Sequence, residues 1–222
     1  LDNNENYFIS KNKLKIKNFD TKKKNIFIEI SEGYYYLCYY NNLLNCGGFD
    51  KYNIIGIWTN IQHPLKKKKF LEFFVKLYYF FFNLFKKRKL YKLYRSIGVS
   101  KFLDISNNVF FNKKSLFLNN RNELYNIKYQ GIDVGDLMYD TYLRFRSFPT
   151  LRIRDEFLNS LYSKVCFIHK KLNFYCKNYK PKFYFANSAA YVHHGLPYRF
   201  FLKKKIPVIS GRLTNCYNRL LA

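Results

Sequence analysis

Three carboxylates stand close together in a chain that is otherwise strongly basic. They lie in residues 131–144 (GIDVGDLMYDTYLR) and are Asp133, Asp136 and Asp140. If Asp136 begins a helix, Asp140 and Arg144 follow at intervals of four residues, which places two carboxylates and a guanidinium on one helix face. Such a line beside a glycine turn could take part in acid–base chemistry. The structural alternative, which the residues alone favour, is a helix with an acidic start and an Asp140–Arg144 pair on its surface.

A second stretch, residues 187–199 (NSAAYVHHGLPYR), follows a predicted strand directly. It brings a hydroxyl, a phenol, an imidazole and a guanidinium together within 12 residues, at Ser188, Tyr191, His194 and Arg199. Histidine titrates near neutrality and is a plausible general base, and arginine grips a phosphate or carboxylate through two nitrogens. The alternative is structural: one of the two adjacent histidines is exposed and the other packs or caps.

Both stretches are predicted to lie at one edge of an α/β sheet. Apolar runs predict strands, and apolar residues spaced by three and four predict helices. The strands are expected at 26–30, 53–58, 101–105, 182–186 and 206–209, and the helices at 34–45, 70–96, 151–177 and from a cap at Asn187 or Ser188 to about 203. This alternation favours a Rossmann-like doubly wound parallel sheet with helices on both faces. Since such sheets bind ligands at the carboxyl ends of their strands, we expect Asp136 and Asp140 near Tyr191, His194 and Arg199.

Composition and charge exclude several classes of protein. The chain has 222 residues, of which 48% are hydrophobic, enough to form a core, so a mainly disordered chain is excluded. Its 9 Gly, 5 Pro and 5 Cys exclude collagen-like and disulfide-scaffold proteins. The net charge of +26, with 22 Tyr and 24 Phe, would suit a nucleic-acid-binding module, although an AT-rich genome imposes part of this bias. The lysines lie in separated clusters without a nucleic-acid-binding signature, so we expect no nucleic-acid partner.

The cysteines predict neither a metal site nor a disulfide framework. They are odd in number and no two form a CxxC pair; they are Cys38, Cys46, Cys166, Cys176 and Cys216. We therefore expect reduced, mostly buried thiols in a reducing compartment, and no secretory signal is visible.

An aromatic segment at residues 66–89 raises the question of a membrane. Its apolar run, 70–85, lies between two clusters of basic residues and is shorter than the ~20 residues that a spanning helix needs. One interpretation is a helix that covers the sheet. The other is a helix lying in an anionic membrane interface, where lysines meet lipid phosphates.

Four segments together resemble a known family. They are residues 131–144, residues 187–199, Tyr94–Val99 (YRSIGV) and Ile206–Val208 (IPV), and they resemble the N-terminal domain of bacterial GT-B-type surface and capsular polysaccharide glycosyltransferases. The resemblance implies two Rossmann-like domains facing a cleft, of which this chain is the acceptor-binding half. We expect a basic N-terminal arm at 1–24, the acceptor-side domain at 25–215, and at 216–222 the start of a linker to an absent donor domain. The chain alone would then be inactive.

The resemblance also implies a reaction and roles for the site residues. A sugar would pass from a nucleotide-sugar donor, the co-substrate, to a hydroxyl of a glycan or lipid-linked acceptor of the capsular or lipopolysaccharide type. No cofactor or metal is expected, and the protein would be cytoplasmic and peripheral on the inner face of the cytoplasmic membrane. Asp136 is the first candidate for the base, with Asp140 and His194 as alternatives. The substrate-binding candidates are Gly131, Asp133, Gly135, Tyr139, Arg144, Ser188, Tyr191, Gly195 and Arg199. A nucleic-acid-binding module and a sugar-nucleotide epimerase relative remain as other readings of the chain.

Overall fold

The protein is an α/β protein in which five parallel strands are flanked by helices, as in a Rossmann-like doubly wound fold. This confirms the predicted fold class. The computed structural model describes residues 3–12, 18–59, 72–106, 116–146, 150–211 and 218–221, the last as backbone alone. The chain divides into two compact units, which are described separately: residues 1–58 with 63–103, and residues 59–62 with 104–222.

The first unit carries three neighbouring strands in the order β3-β2-β1. They are β1 (Lys24–Ile30), β2 (Tyr52–Trp58) and β3 (Val99–Asp104). β1 and β2 are parallel, from the pair Lys24↔Tyr52 to the pair Ile30↔Trp58. The last five residues of β1 are all buried, as expected for a parallel strand covered on both faces. The connecting helices are α2 (Tyr34–Cys46) and α3 (Glu72–Ser96), close to their predicted bounds.

The basic N-terminal arm that was expected at 1–24 contains a helix. Asn3–Lys11 forms a helix, α1, with acidic Glu5 in its first turn and Lys11 in its last. Both charges suit the helix dipole. The Glu5 carboxylate is buried and pairs with the Lys89 ammonium of α3 at 2.7 Å. This contact with α3 gives the segment tertiary support that composition does not reveal.

The second unit carries the remaining strands and helices. β6 and β7 are parallel, and β8 runs antiparallel to β7. In chain order the elements are α4 (Asn122–Tyr125), β4 (Lys128–Tyr129), β5 (Ile132–Asp133), α5 (Gly135–Phe145), α6 (Glu156–Tyr179), β6 (Tyr184–Ala186), a π-helical turn (Tyr191–Gly195), α7 (Leu196–Lys203), β7 (Val208–Gly211) and β8 (Asn218–Leu221).

The long helix α6 follows from its apolar spacing, as predicted, although it begins later than residue 151. Asp155 caps it, accepting a hydrogen bond from the Phe157 N–H at 2.8 Å. It ends where Lys180 adopts φ +43° and Pro181 follows. Proline cannot continue the helical hydrogen bonds, which fixes the C-terminal end.

The prediction that a helix begins after a cap at Asn187 or Ser188 is wrong. The Ser188 hydroxyl accepts from the Ala190 N–H at 3.1 Å and caps no helix. Tyr191 then takes φ +61° and opens the π-helical turn, and α7 begins only at Leu196, with proline in its first turn. The strand predicted at 206–209 is also displaced, since β7 extends through Gly211.

The aromatic helix α3 exposes large apolar side chains at its centre. Phe81 is 48% exposed and Phe85 is 65% exposed. No helix in the described residues is long and apolar enough to cross a membrane. The lysines at 66–69 and the side chains of Phe73, Phe74 and Phe80 lie outside the described part of the chain.

The expectation of mostly buried thiols is corrected for the cysteines that the structure describes. Cys166 is buried, Cys38 and Cys176 are half-buried, and Cys46 is exposed, and none of these four forms a disulfide within the described residues. Cys216 lies outside the described residues. Cys46 is the last residue of α2, where the helix end reaches solvent.

Candidate functional site

A tight hairpin and a glycine set the start of α5, the helix that carries the clustered aspartates. β4 and β5 pair antiparallel through the turn Gln130–Gly131, whose φ angles are +50° and +69°. Two positive φ values are the mark of a type I′ turn, which glycine favours. At Gly135 a Cβ would lie 1.8 Å from the Leu124 carbonyl oxygen, so α5 begins in direct contact with α4.

The other end of α5 is held by Asp155. Its carboxylate accepts hydrogen bonds from the Tyr142 hydroxyl at 2.9 Å and from the Arg146 guanidinium at 2.7 Å. Burial raises the pKa of Asp155, but the hydrogen bonds from Phe157 N–H, Tyr142 and Arg146 outweigh it and hold the pKa below its usual value. These bonds join the C-terminal end of α5 to the start of α6.

The structure brings the two predicted stretches together as antiparallel neighbours within the second unit. Asp136, at the start of α5, bonds to Arg199, and Arg144, eight residues later, bonds to Tyr191. Between these ends the Val192 N–H donates to the Thr141 hydroxyl at 2.8 Å. The two contacts are separated by about 12 Å along α5, at 1.5 Å per residue.

Close approach of the two segments depends on a second glycine, Gly195. A Cβ there would lie 2.4 Å from Leu137 Cδ2 and 2.5 Å from the Ala189 carbonyl oxygen. Gly195 therefore serves packing between the π-helical turn and α5.

Asp136 and Arg199 form a two-pronged ion pair. The guanidinium donates to both carboxylate oxygens, at 2.7 and 2.5 Å, and also to the Asp133 carbonyl oxygen at 2.6 Å. The hydrogen bonds from Arg199 hold the pKa of Asp136 below its usual value, against the opposing effect of burial. A carboxylate held in this way is a weak proton acceptor, and its evident effect is to fix Arg199.

Asp140 lies one turn further along α5 and is exposed. Its charge reaches Arg199, whose pKa is raised chiefly by the hydrogen bond to Asp136 and further by Asp133 and Asp140. No hydrogen bond between described residues ends on the Asp140 carboxylate. Neighbouring Tyr139 packs its ring 5.2 Å from that of Tyr125. Of the three aspartates, Asp140 is the one placed to accept a proton from a bound molecule.

At the far end of α5, Arg144 and Tyr191 form a second fixed contact. The Arg144 guanidinium donates to the Tyr191 hydroxyl at 3.0 Å. The central carbon of the guanidinium lies 4.8 Å from the centroid of the Tyr191 ring. Tyr191 holds a positive φ, which a tyrosine rarely adopts and which costs on the order of 1–3 kcal/mol. Strained residues and π-helical turns are both concentrated at functional sites.

The two histidines of the turn have different surroundings. The His193 ring is nearly parallel to that of Tyr191 at 6.0 Å, and the His194 ring lies 3.9 Å from that of His193.

The remaining predicted residues shape the rim of this site. The Asp133 carboxylate pairs with Lys128 at 3.1 Å across the hairpin. The Lys203 ammonium donates to the carbonyl oxygen of Gln130, beside Gly131, at 2.5 Å. No group of three or more metal-ligating side chains occurs within the described residues.

Sequence reasoning passed over two groups, His193 and Lys164. Nδ1 of His193 is buried and has no hydrogen-bond partner among the described residues. Burial, together with the charges of His194, Arg144 and Lys164, lowers the pKa of His193 to about 2. Burial also lowers the pKa of Lys164 to about 8, with Asp104 opposing. In the sequence, Lys164 stands out as a charged residue between Leu161 and Ile168, two of the regularly spaced apolar residues of α6.

The site thus consists of a helix with one exposed carboxylate between two fixed arginines, facing a strained turn that carries a tyrosine and two histidines. No protein-family model matches the chain, and searches of curated proteins and of solved structures find no match either.

Proposed function

We propose that the chain is the acceptor-side domain of a glycosyltransferase that moves a sugar from a nucleotide-sugar donor to a hydroxyl of a cell-surface glycan. The observation that carries the proposal is the antiparallel pairing of α5 with residues 191–199. It leaves the Asp140 carboxylate exposed between the Asp136–Arg199 and Arg144–Tyr191 contacts. Sugar transfer needs a base at the attacking hydroxyl and fixed polar groups that orient it.

The geometry favours a division of labour among the aspartates. Asp136 positions Arg199, and Asp140 takes the proton of the acceptor hydroxyl, because only the latter is exposed without a hydrogen-bonded guanidinium. Tyr139, next to Asp140 in the chain, and Tyr191, bonded to Arg144, offer aromatic rings against which the apolar faces of sugar rings can pack. His194 remains the alternative base.

Two measurements test the proposal. Saturation-transfer NMR on this chain with oligosaccharides of bacterial surface glycans should show saturation passing from the protein to the sugar protons. In a transfer assay with labelled nucleotide sugars, run on an enzyme that includes the donor-binding half, Asp140→Asn should lower kcat by roughly a hundredfold or more, the scale of a lost general base. Asp136→Asn should mainly raise KM for the acceptor. Asp50→Asn, an exposed carboxylate of the first unit, is the control and should change neither.

The same proposal includes the location of the protein at the inner face of the cytoplasmic membrane. The supporting observation is that Phe81 and Phe85 are exposed and are followed at once by Lys86, Lys87 and Arg88. Aromatic rings beside basic residues suit an anionic lipid surface. A lipid-linked acceptor would be held at such a surface.

Nucleic-acid binding is a second candidate because of one surface feature. A shallow concavity of about 620 Å³ in the second unit is lined by Arg121, Arg152 and Arg154. Arginines bind backbone phosphates, and such binding weakens steeply with salt. Titration of a nonspecific oligonucleotide at physiological ionic strength separates the candidates: tight, steeply salt-dependent binding would favour nucleic acid over a glycan.

A further inference from the structure

Lys164 and His193 are basic side chains of the second unit that have no role in the proposed transfer, and Arg144, which bonds to Tyr191 in the candidate site, acts on His193 electrostatically. Lys164 of α6 donates to the Ser106 carbonyl oxygen at 3.0 Å, just past the end of β3. His193 lies in the π-helical turn, which packs against α6. Arg144 of α5, Lys164 and His194 all act on the His193 imidazole as positive neighbours. Three separate elements, α5, α6 and the π-helical turn, therefore contribute groups whose charges act on the His193 imidazole.

The charge balance of this cluster is incomplete within the described residues. Asp104 is the acidic group that acts on Lys164. Its Oδ1 also accepts from the Ser106 N–H at 2.8 Å and from the Ser106 hydroxyl at 2.5 Å. Against this one carboxylate stand Lys164 and Arg144. A partly buried cation with little negative charge nearby lowers the stability of the fold, and such groups are often found at binding sites.

The buried Nδ1 atom of His193 is the second, independent sign of a ligand. It lacks a hydrogen-bond partner in the described part of the chain. A buried polar atom without a partner costs about 1–3 kcal/mol, and a bound group that supplies one recovers it. Lys164 and His193 are both partly exposed as whole residues, although the Nδ1 atom itself is buried.

We propose that Lys164, His193 and Arg144 bind an anionic group of a ligand, a phosphate or a carboxylate. The ammonium and the guanidinium supply the charge, and the imidazole supplies a directed hydrogen bond. Tyr191, fixed by Arg144, forms one wall. The site does not depend on the transfer reaction, because it concerns binding by this chain alone. Under the glycosyltransferase proposal, the ligand would be the diphosphate of a lipid-linked acceptor or the carboxylate of an acidic sugar.

Calorimetry on the full chain with pyrophosphate, and separately with glucuronate, tests the site and distinguishes its two ligand sources. At least one should bind with a Kd below about 1 mM. Lys164→Met should weaken that binding at least tenfold, and His193→Leu should weaken it too. Lys170→Met, an exposed lysine on the same helix, is the matched control and should leave it unchanged. Anion binding should strengthen as the pH falls from 9 to 7, because Lys164, with its pKa of about 8, gains a proton. The other titratable or charged groups that face this cluster are Asp104, Arg144 and His194.

The outcomes separate a binding site from a structural lysine. Lys164→Met removes a poorly compensated charge, so without ligand its thermal midpoint should equal or exceed that of the wild type. A folded variant that keeps full affinity, equal losses in Lys164→Met and Lys170→Met, or no binding of either anion would overturn the proposal. Failure of sugar transfer with intact anion binding would refute only the glycosyltransferase assignment. If Lys164→Met does not fold, His193→Leu carries the same test.

Discussion

Asp155 joins the end of α5 to the start of α6, and replacing it with alanine should lower the free energy of unfolding by about 3 kcal/mol. Loss of the helix cap costs about 1 kcal/mol. Loss of the hydrogen bond from Arg146 costs about 2 kcal/mol, in the range for bonds to charged groups. Solvent screening reduces this little, since the Asp155 side chain is 11% exposed and that of Arg146 is 25% exposed.

The pH dependence of this loss has a defined sign. The pKa of Asp155 is lowered in the folded protein, so its contribution is complete above the unfolded value of about 4. It disappears as the pH falls through the folded pKa. The difference in stability between the wild type and Asp155→Ala should therefore be constant near neutral pH and shrink below pH of about 4.

Urea and thermal unfolding followed by circular dichroism measure the effect. For a chain of this size, 3 kcal/mol corresponds to a fall in Tm of about 6–12 °C. Asp155→Asn keeps a good capping side chain and should recover about 1 kcal/mol of the loss. A loss below about 1 kcal/mol in Asp155→Ala would refute the reasoning, because it would mean that the cap and the ion pair carry almost no net energy.

Three further outcomes are expected. Gly135→Ala should destabilise the protein by at least about 2 kcal/mol, because its Cβ would meet the Leu124 carbonyl oxygen; an unchanged Tm would show that α4 moves freely. The Asp136–Arg199 pair is partly exposed, so Asp136→Asn should cost no more than about 1 kcal/mol at neutral pH. Because the pKa of Asp136 is lowered, that cost should vanish at acidic pH, as urea midpoints would report. Phe85→Ser should weaken cosedimentation with vesicles containing anionic lipid; equal binding by variant and wild type would exclude α3 from the membrane contact.

Helices with a regular apolar spacing were predictable because their burial follows from the sequence pattern. α6 places Leu158, Leu161 and Val165 on its buried face, as the spacing of three and four requires. Lys164 shows the limit of this approach. Its ammonium is held by Ser106, which is remote in the sequence, and no local pattern predicts that partner.

The turn after β6 was not predictable for a different physical reason. Residues 187–199 have ordinary helical propensity apart from Gly195 and Pro197, so a single helix was expected. The structure instead holds Tyr191 at positive φ, with Val192 bonded to Thr141 of α5. Tertiary contacts with α5 thus override local preference, and only the fold reveals them.

The π-helical turn has a consequence for how this segment tolerates changes in length. A π turn accommodates one more residue than an α turn, so deleting a residue within Tyr191–Gly195 would restore ordinary helix and rotate all that follows by about 100° relative to what precedes it. Tyr191 and Arg199 could then no longer reach Arg144 and Asp136 at once. A one-residue deletion here would separate the two contacts without removing any of the side chains that make them. Homologues that keep both contacts should therefore keep eight residues between Asp136 and Arg144 and eight between Tyr191 and Arg199.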